Sequence, residues 1–223
     1  MKYRHEWKYE INYGDFLILK TRLDAVMTRD IHAEGGMYQV RSLYFDNLSD
    51  KVLKEKINGV NQREKFRIRY YNGDTSLIRL EKKSKDNNLS RKESTSLTLF
   101  EVEELLKGKT DWMLMREDNL IRELYAKMQY QYLRPRTIVD YLRIPYVFKP
   151  GNVRVTLDYD IRMGTDLAHF KEAGCVTIPV RDNPIILEVK WDEFLPAIIQ
   201  DAVDLPSRRA GAFSKYASCR QYG

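Results

Sequence analysis

Arginine and lysine occupy every second position of one predicted strand, residues 62–71. Arg63, Lys65, Arg67 and Arg69 lie there at alternate positions, separated by Glu64, Phe66 and Ile68. Because successive side chains of a β-strand point to opposite faces, these four cations share one face. The planar arginine fork makes bidentate hydrogen bonds to phosphate oxygens, so the pattern indicates binding of a phosphate-rich anion.

Four further predicted strands also carry charge on one face. The charged faces hold Arg4, Glu6, Lys8 and Glu10 in 3–11, Arg79, Glu81, Lys83 and Lys85 in 76–85, Arg154, Thr156, Asp158, Asp160 and Arg162 in 152–162, and Glu188 and Lys190 in 185–191. Like charges side by side destabilise a sheet unless an anion fills the space between them. The simpler explanation is a sheet with one face in water, where the charges meet solvent.

Acids also lie among these bases, and we single out Glu6, Glu81, Asp158 and Glu188. A carboxylate beside a phosphate chain would repel it. A Mn²⁺ or Mg²⁺ ion between carboxylate and phosphate removes this conflict, because hard cations prefer oxygen ligands. Alternatively, each acid forms an ion pair with a neighbouring arginine or lysine, and the residues alone leave both explanations open.

The elements that position these residues follow from hydrophobic spacing and turn signals. We predict strands at 3–11, 38–46, 62–71, 76–85, 136–148, 152–162 and 185–191, with 89–97 as a further candidate, and helices at 13–28, 49–57, 98–107 and 117–130. Ser49 is the expected N-cap of the second helix. Asn72-Gly73-Asp74 and Pro150-Gly151-Asn152 predict hairpins. The result is an α+β fold on a curled or closed antiparallel sheet.

Length and charge set wider limits. The 223 residues and evenly spread turn signals predict one domain over 1–223. The net charge of +6 favours an anionic partner without naming it. Tyr9, Tyr70 and Tyr159 lie on the faces opposite the bases, where they pack as core instead of stacking on nucleotides. We therefore expect no nucleic-acid partner.

Several classes of site are disfavoured by the motifs. The chain has no Gly-x-x-x-x-Gly-Lys phosphate loop, and His5, His32 and His169 are too scattered for a zinc site. Two cysteines, Cys175 and Cys219, make no disulfide framework and favour a reducing compartment. The charged start and the lack of an apolar run of about 20 residues predict a cytoplasmic protein without a signal peptide. Any membrane role would need a membrane-bound partner.

An ordered set of motifs resembles the VTC domain, the polyphosphate polymerase branch of the triphosphate tunnel metalloenzymes. The matching segments are RHEWKYEI at 4–11, VRSLYFDN at 40–47, KFRIRYY at 65–71, IRLEKKSK at 78–85, YLRIPY at 141–146, VRVTLDYDIR at 153–162, ILEVK at 186–190 and FSKY at 213–216. The resemblance implies a closed antiparallel barrel, the triphosphate tunnel fold, with peripheral helices. It also implies a Mn²⁺ or Mg²⁺ cofactor and transfer of the terminal phosphoryl group of ATP to polyphosphate.

The resemblance also assigns residue roles. Phosphate-binding catalytic positions are matched by Lys8, Arg67, Arg69, Lys83, Arg143 and Arg154, and the metal-binding acid by Glu188. Lys215 resembles a lysine near a tunnel mouth. Shared strand faces add Arg4, Lys65, Arg162 and Lys190 as substrate-binding candidates and Glu6 as a second metal candidate.

One departure bears on the reaction. Hydrolytic tunnel enzymes show Glu-x-Glu-x-Lys in the first strand, and Arg4 replaces the first acid here. This favours the polymerase branch. A tunnel hydrolase acting on triphosphate or short polyphosphate remains an alternative, as does a non-catalytic module that binds polyphosphate or RNA.

Overall fold

The computed structural model describes residues 4–86 and 89–221. Residues 1–3, 87–88 and 222–223 lie outside the described part, and so does the first position of the predicted strand 3–11. The strands are β1 (His5–Ile11), β2 (Thr28–Arg29), β3 (Tyr38–Asp46), β4 (Arg63–Tyr71), β5 (Asp74–Asp86), β6 (Leu89–Leu97), β7 (Arg134–Phe148), β8 (Val153–Gly164), β9 (Ile178–Pro179) and β10 (Ile185–Trp191). The helices are α1 (Tyr13–Val26), α2 (Lys51–Ile57), α3 (Leu99–Leu106), α4 (Trp112–Met115), α5 (Asn119–Tyr130), α6 (Ala197–Val203) and α7 (Lys215–Gln221).

All the predicted strands and all four predicted helices are present. Helix α1 starts after Asn12, whose side chain accepts a 2.8 Å hydrogen bond from the Asp15 backbone, while Asp15 accepts one from Asn12. This reciprocal capping box fixes the first turn. The helix was predicted over 13–28 but ends at Val26, because the chain becomes extended at Met27 and enters β2.

The predicted N-cap of α2 is wrong. The helix begins at Lys51, and Ser49 does not cap it. Instead, the Asp46 carboxylate at the end of β3 accepts hydrogen bonds from the backbone N–H groups of Val52 (2.9 Å) and Leu53 (3.1 Å). A negative charge near a helix N-terminus also suits the helix dipole.

The two predicted hairpins form with the expected turn residues. Asn72 and Gly73 have φ angles of 51° and 72°, the left-handed conformation that a two-residue turn between β4 and β5 requires. Gly151, between β7 and β8, has φ 70°, and a Cβ added there would lie 2.3 Å from the Phe194 carbonyl oxygen. A larger residue at this glycine would therefore both strain the turn and clash.

The chain forms two compact units, and β7 and β8 each contribute residues to both. Unit 1 contains the chain up to Gln39 with residues 141–161 and 179–214, and its strand order is β1-β10-β8-β7 with β2 on β7. Its core is built from α1, α6 and the apolar faces of these strands, with Leu19, Leu23 and Val155 fully buried.

Unit 2 contains residues 40–140, 162–178 and the chain from Lys215, with strand order β7-β3-β4-β5-β6. Helices α3 and α5 cover its apolar face, and the core includes Phe66, Ile68 and Leu124. Strand pairs β1–β10 and β10–β8 in unit 1, and β3–β4, β4–β5 and β5–β6 in unit 2, are antiparallel. These pairings and the helices confirm the α+β class.

Two further features are the state of the cysteines and the apolar length of the helices. Cys175 and Cys219 are both buried free thiols. None of the described helices is long and apolar enough to cross a membrane.

Candidate functional site

Eight cationic side chains share one face of β4, β5 and β6 in unit 2. We call this set the basic face; its members are Arg63, Lys65, Arg67, Arg69, Arg79, Lys83, Lys85 and Lys92. They share a face because residues directly opposite in an antiparallel pair point to the same side. Glu81 is the one acid at these registered positions, all of which lie in the described part of the chain.

A row of three lysines crosses the basic face. Lys65 is opposite Lys83 on β5, and Lys83 is opposite Lys92 on β6. Like charges directly opposite one another destabilise a sheet. The row therefore concentrates positive charge on this face, which favours binding of an anion.

The next row is organised around the buried Glu81 carboxylate. Arg67 places its Nε and Nη2 atoms each 2.6 Å from Glu81 Oε2, and Arg69 Nη1 is 3.7 Å from the same oxygen. Lys92 forms an ion pair with the other carboxylate oxygen. Burial would raise the pKa of Glu81, but the charges of Arg67, Arg69 and Lys92 hold it far below its ordinary value. Glu81 is therefore ionised and fixes both guanidinium groups.

Two side chains of β3 accept hydrogen bonds from these guanidinium groups. Arg67 Nη1 donates to the Tyr44 hydroxyl at 2.8 Å, and Arg69 Nε donates to Ser42 Oγ at 3.1 Å. Burial would raise the pKa of the Tyr44 phenol, but the charges of Arg67, Lys65 and Arg69 lower it to about 7.

A second charged group lies in unit 1, where β1, β10 and β8 pair. Lys8 Nζ is 3.2 Å from Glu188 and 3.4 Å from Glu6. Lys190 Nζ is 3.0 Å from Glu188 and 3.3 Å from Glu6. Each of the two lysines therefore contacts both glutamates. We call these four residues, with Arg143 and Asp158, the mixed-charge cluster.

Arg143 links the acids of this cluster. Its Nε and Nη2 atoms donate to Asp158 at 2.6 and 2.7 Å, and Nη2 is 3.7 Å from Glu188. Burial would raise the pKa of Glu188, but the charges of Lys190, Lys8 and Arg143 hold it well below its usual range. Glu188 is thus ionised, and the cluster holds three basic and three acidic side chains, unlike the basic face.

Arg154 lies next to this cluster on β8, opposite Lys190. Its Nη2 atom donates to Asp30 at 2.5 Å and to the Tyr38 hydroxyl at 3.0 Å. These contacts fix one end of the guanidinium group, while its buried Nε has no hydrogen-bond partner among the described residues.

The sequence model of the VTC domain family matches residues 3–222. The chain belongs to the VTC domain family. By sequence, no curated protein matches this VTC domain.

Solved structures show the fold that this VTC domain shares. A proposed adenylate cyclase of Bacillus halodurans is 12% identical, with a TM-score of 0.52 over 90% of this chain and 86% of the other. A proposed adenylate cyclase of Vibrio parahaemolyticus is 10% identical, with a TM-score of 0.46 over 90% and 82%. A Pyrococcus horikoshii protein is 12% identical, with a TM-score of 0.47 over 96% and 97%. The Bacillus structure supports a common fold.

The residues predicted for the site divide into three groups. Arg67, Arg69, Lys65 and Lys83 lie on the basic face of unit 2. Lys8, Glu6, Glu188, Lys190 and Arg143 form the mixed-charge cluster of unit 1, and Arg154 adjoins it. The third group is Arg4, Arg162 and Lys215, and it lies outside both sets.

The third group makes contacts of its own. Arg4 Nε is 2.9 Å from Asp192, and its Nη2 donates to the Asn152 carbonyl oxygen at 2.6 Å. Arg162 donates to the side chain and carbonyl of Thr177 at 3.0 and 2.7 Å. Lys215 is the first residue of α7. These contacts give the two arginines structural roles in their own units.

Sequence reasoning missed three residues of these sites. Lys92 follows from strand alternation once the register of β6 is known, because it is opposite Lys83. Tyr38 lies at the start of a predicted strand, but its hydroxyl contact with Arg154 spans 116 positions. Asp30 belongs to no periodic pattern, so the sequence carried no signal for it.

The acids of both sites form ion pairs, as the alternative explanation from the sequence required. Among the described residues, no three acidic, histidine or cysteine side chains gather as a metal-binding group. Glu6 and Glu188 still fit the metal that the family implies, because Mg²⁺ usually takes one or two carboxylates together with substrate phosphates. Their shared lysines would then turn to those phosphates.

Proposed function

We propose that this VTC domain is a polyphosphate polymerase that transfers the terminal phosphoryl group of ATP onto a growing polyphosphate chain. The observation that carries the proposal is the basic face, where eight cations share one side of three strands with the single acid Glu81. In this proposal the whole chain, 1–223, acts as one tunnel domain. Its sheet closes into a barrel with the charged faces inside.

The charge pattern supports a polyanionic substrate instead of a solvent-exposed face. Arg69 and Glu81 are only 6% and 4% exposed, so they do not meet water as an ordinary polar face would. A chain of phosphates carries negative charge at regular intervals and can accept from several of these cations at once.

Phosphoryl transfer needs positioning and charge neutralisation more than covalent chemistry from the protein. An ionised terminal oxygen of the acceptor attacks the γ-phosphorus of ATP, and the bond to the β–γ bridging oxygen breaks to release ADP. The acceptor oxygen carries no proton, so no side-chain base is required. Arg67 and Arg69, held by Glu81, Tyr44 and Ser42, bind the phosphates in fixed orientation.

The remaining proposed residues complete the charge environment. Lys83, Lys8, Arg143 and Arg154 neutralise phosphate oxygens, and Lys65 and Lys190 assist binding. Glu188 and Glu6 would hold Mn²⁺ or Mg²⁺, which supplies charge neutralisation on phosphate oxygens when bound. ATP is a cytoplasmic substrate, so the proposed reaction takes place in the cytoplasm, with a membrane-bound partner as an option for product export.

The proposal is tested by incubating the purified protein with ATP and Mn²⁺ and following the products by phosphorus NMR and gel electrophoresis. A growing signal from internal phosphates, together with a ladder of anionic polymer, is the expected result. Orthophosphate or pyrophosphate without a ladder would indicate the hydrolase. Unconsumed ATP with tight polyphosphate binding would indicate a binding module.

A further inference from the structure

A buried threonine of β8 has an unused hydroxyl beside the mixed-charge cluster. Thr156 is 3% exposed, and its Oγ1 has no hydrogen-bond partner among the described residues. It is opposite Glu188 on β10, whose carboxylate is already engaged by Lys8 and Lys190. A buried polar group without a partner lowers the stability of the folded protein.

A second unused donor lies on the same face of the same strand. The Nε atom of Arg154 is buried and likewise lacks a partner within the described residues, although its Nη2 atom is bound by Asp30 and Tyr38. Positions two apart on a strand point the same way and are separated by about 7 Å. Thr156 and Arg154 therefore present two unsatisfied donors in one direction.

The two unused donors indicate what they bind, because each requires an acceptor. Lys190 is opposite Arg154, and both Lys8 and Lys190 are held by the carboxylates of Glu6 and Glu188. An anionic oxygen accepts from the hydroxyl and from the guanidinium together, and the ammonium groups can turn to it. Phosphate oxygens are strong acceptors of this kind and suit an arginine donor.

We propose that Thr156 is a substrate-positioning residue whose hydroxyl, together with Arg154 Nε, donates to phosphate oxygens of the bound polyanion. The inference rests on the proposed function, since it assumes that a phosphate chain enters the mixed-charge cluster. It adds a hydroxyl to the arginine and lysine donors of the proposed phosphate-binding site. The hydroxyl then contributes to affinity for phosphate at the expense of the stability of the ligand-free protein.

The experiment compares Thr156→Val, which keeps the shape and removes the hydroxyl, with Thr156→Ser, which keeps the hydroxyl. Binding of inorganic tripolyphosphate and of ATP is measured by calorimetry without metal, and unfolding is followed by heating the ligand-free protein. Thr137→Val is the matched control, because Thr137 is also buried but donates to carbonyl oxygens, at 3.3 Å to that of Gly164.

We expect Thr156→Val to weaken tripolyphosphate binding by about tenfold, the value of one hydrogen bond to a charged group. Its unfolding temperature should be unchanged or higher, while Thr156→Ser binds within about threefold of the parent protein. Thr137→Val should be less stable but bind normally. Comparable loss with tripolyphosphate and ATP assigns the contact to the phosphate chain, and a loss with ATP alone assigns it to the nucleotide.

Two results would overturn the inference while leaving the proposed function intact. One is parent-like tripolyphosphate binding by Thr156→Val. The other is an equal loss in Thr156→Ser, which would make side-chain shape responsible instead of the hydroxyl. If the parent protein itself binds neither ligand, even when Mn²⁺ is added, the proposed function fails and the inference fails with it.

Discussion

Replacing Glu81 with glutamine should make the protein less stable but a better binder of polyphosphate. The change removes one negative charge and keeps the shape. Two hydrogen bonds of 2.6 Å from Arg67 then lose their charged acceptor, and Arg69 loses its counter-charge. Removing one partner of a buried ion pair costs about 3–5 kcal/mol. Because glutamine still offers an oxygen and Lys92 is largely exposed, we expect the lower end, about 3 kcal/mol.

In a chain of this size that loss lowers the unfolding temperature by about 6–12 °C. The same substitution adds one net positive charge to the basic face, so tripolyphosphate should bind about tenfold more tightly at low salt. Saturating tripolyphosphate should therefore restore more stability to Glu81→Gln than to the parent protein. Thermal unfolding with and without tripolyphosphate, and calorimetric titration, measure both effects.

The matched control is Glu101→Gln. Glu101 is also a buried glutamate, and its partner is Arg116 at 2.8 Å. It caps α3, away from the basic face. Glu101→Gln should destabilise the protein and leave tripolyphosphate affinity unchanged. Weaker tripolyphosphate binding by Glu81→Gln would refute the reasoning, since it would mean that Glu81 helps binding by orientation more than it hinders by charge.

Three further outcomes follow from the same contacts. Arg67→Ala should reduce turnover of ATP by about 100-fold or more without unfolding, as judged by circular dichroism, because Glu81 keeps Arg69 as a partner; turnover within a few-fold of the parent would exclude a role in transfer. The pKa of Tyr44 is lowered to about 7, so its phenolate forms above that pH and offsets positive charge. Tripolyphosphate affinity should then fall as the pH rises above about 7 and fall less in Tyr44→Phe, and equal slopes in both proteins would argue against this titration. Glu188→Gln should raise the Mn²⁺ concentration for half-maximal turnover by at least about tenfold, and an unchanged requirement would place the metal elsewhere.

Much of the fold could be predicted from the sequence because strand alternation and turn chemistry are local signals. The alternating bases of residues 62–71 and the Asn72-Gly73 turn determine β4, its hairpin and the face that carries the charges. The start of α2 could not be read in this way. Its cap is Asp46, which belongs to the preceding strand, while Ser49 has the right residue type in the wrong place.

The sequence pointed to the cations of the candidate site more readily than to the residues that contact them. Strand alternation placed Arg67 and Arg69 on one face. The contact of Glu81 with both arginines depends on the register of β4 against β5, which strand alternation does not give. The Asp30 contact with Arg154 joins residues 124 apart, and no periodic pattern connects them. The contact of Arg4 with Asp192 was equally invisible to strand alternation, because the two residues are far apart in the sequence.

The most direct test of the central claim follows the fate of the terminal phosphate of ATP. The purified protein is incubated with Mn²⁺ and ATP radiolabelled at either the γ- or the α-phosphate, and the products are separated by size. The proposed polymerase places the γ-label in polymer of increasing length and leaves the α-label in ADP. Release of the γ-label as orthophosphate, with none in polymer, would contradict the account.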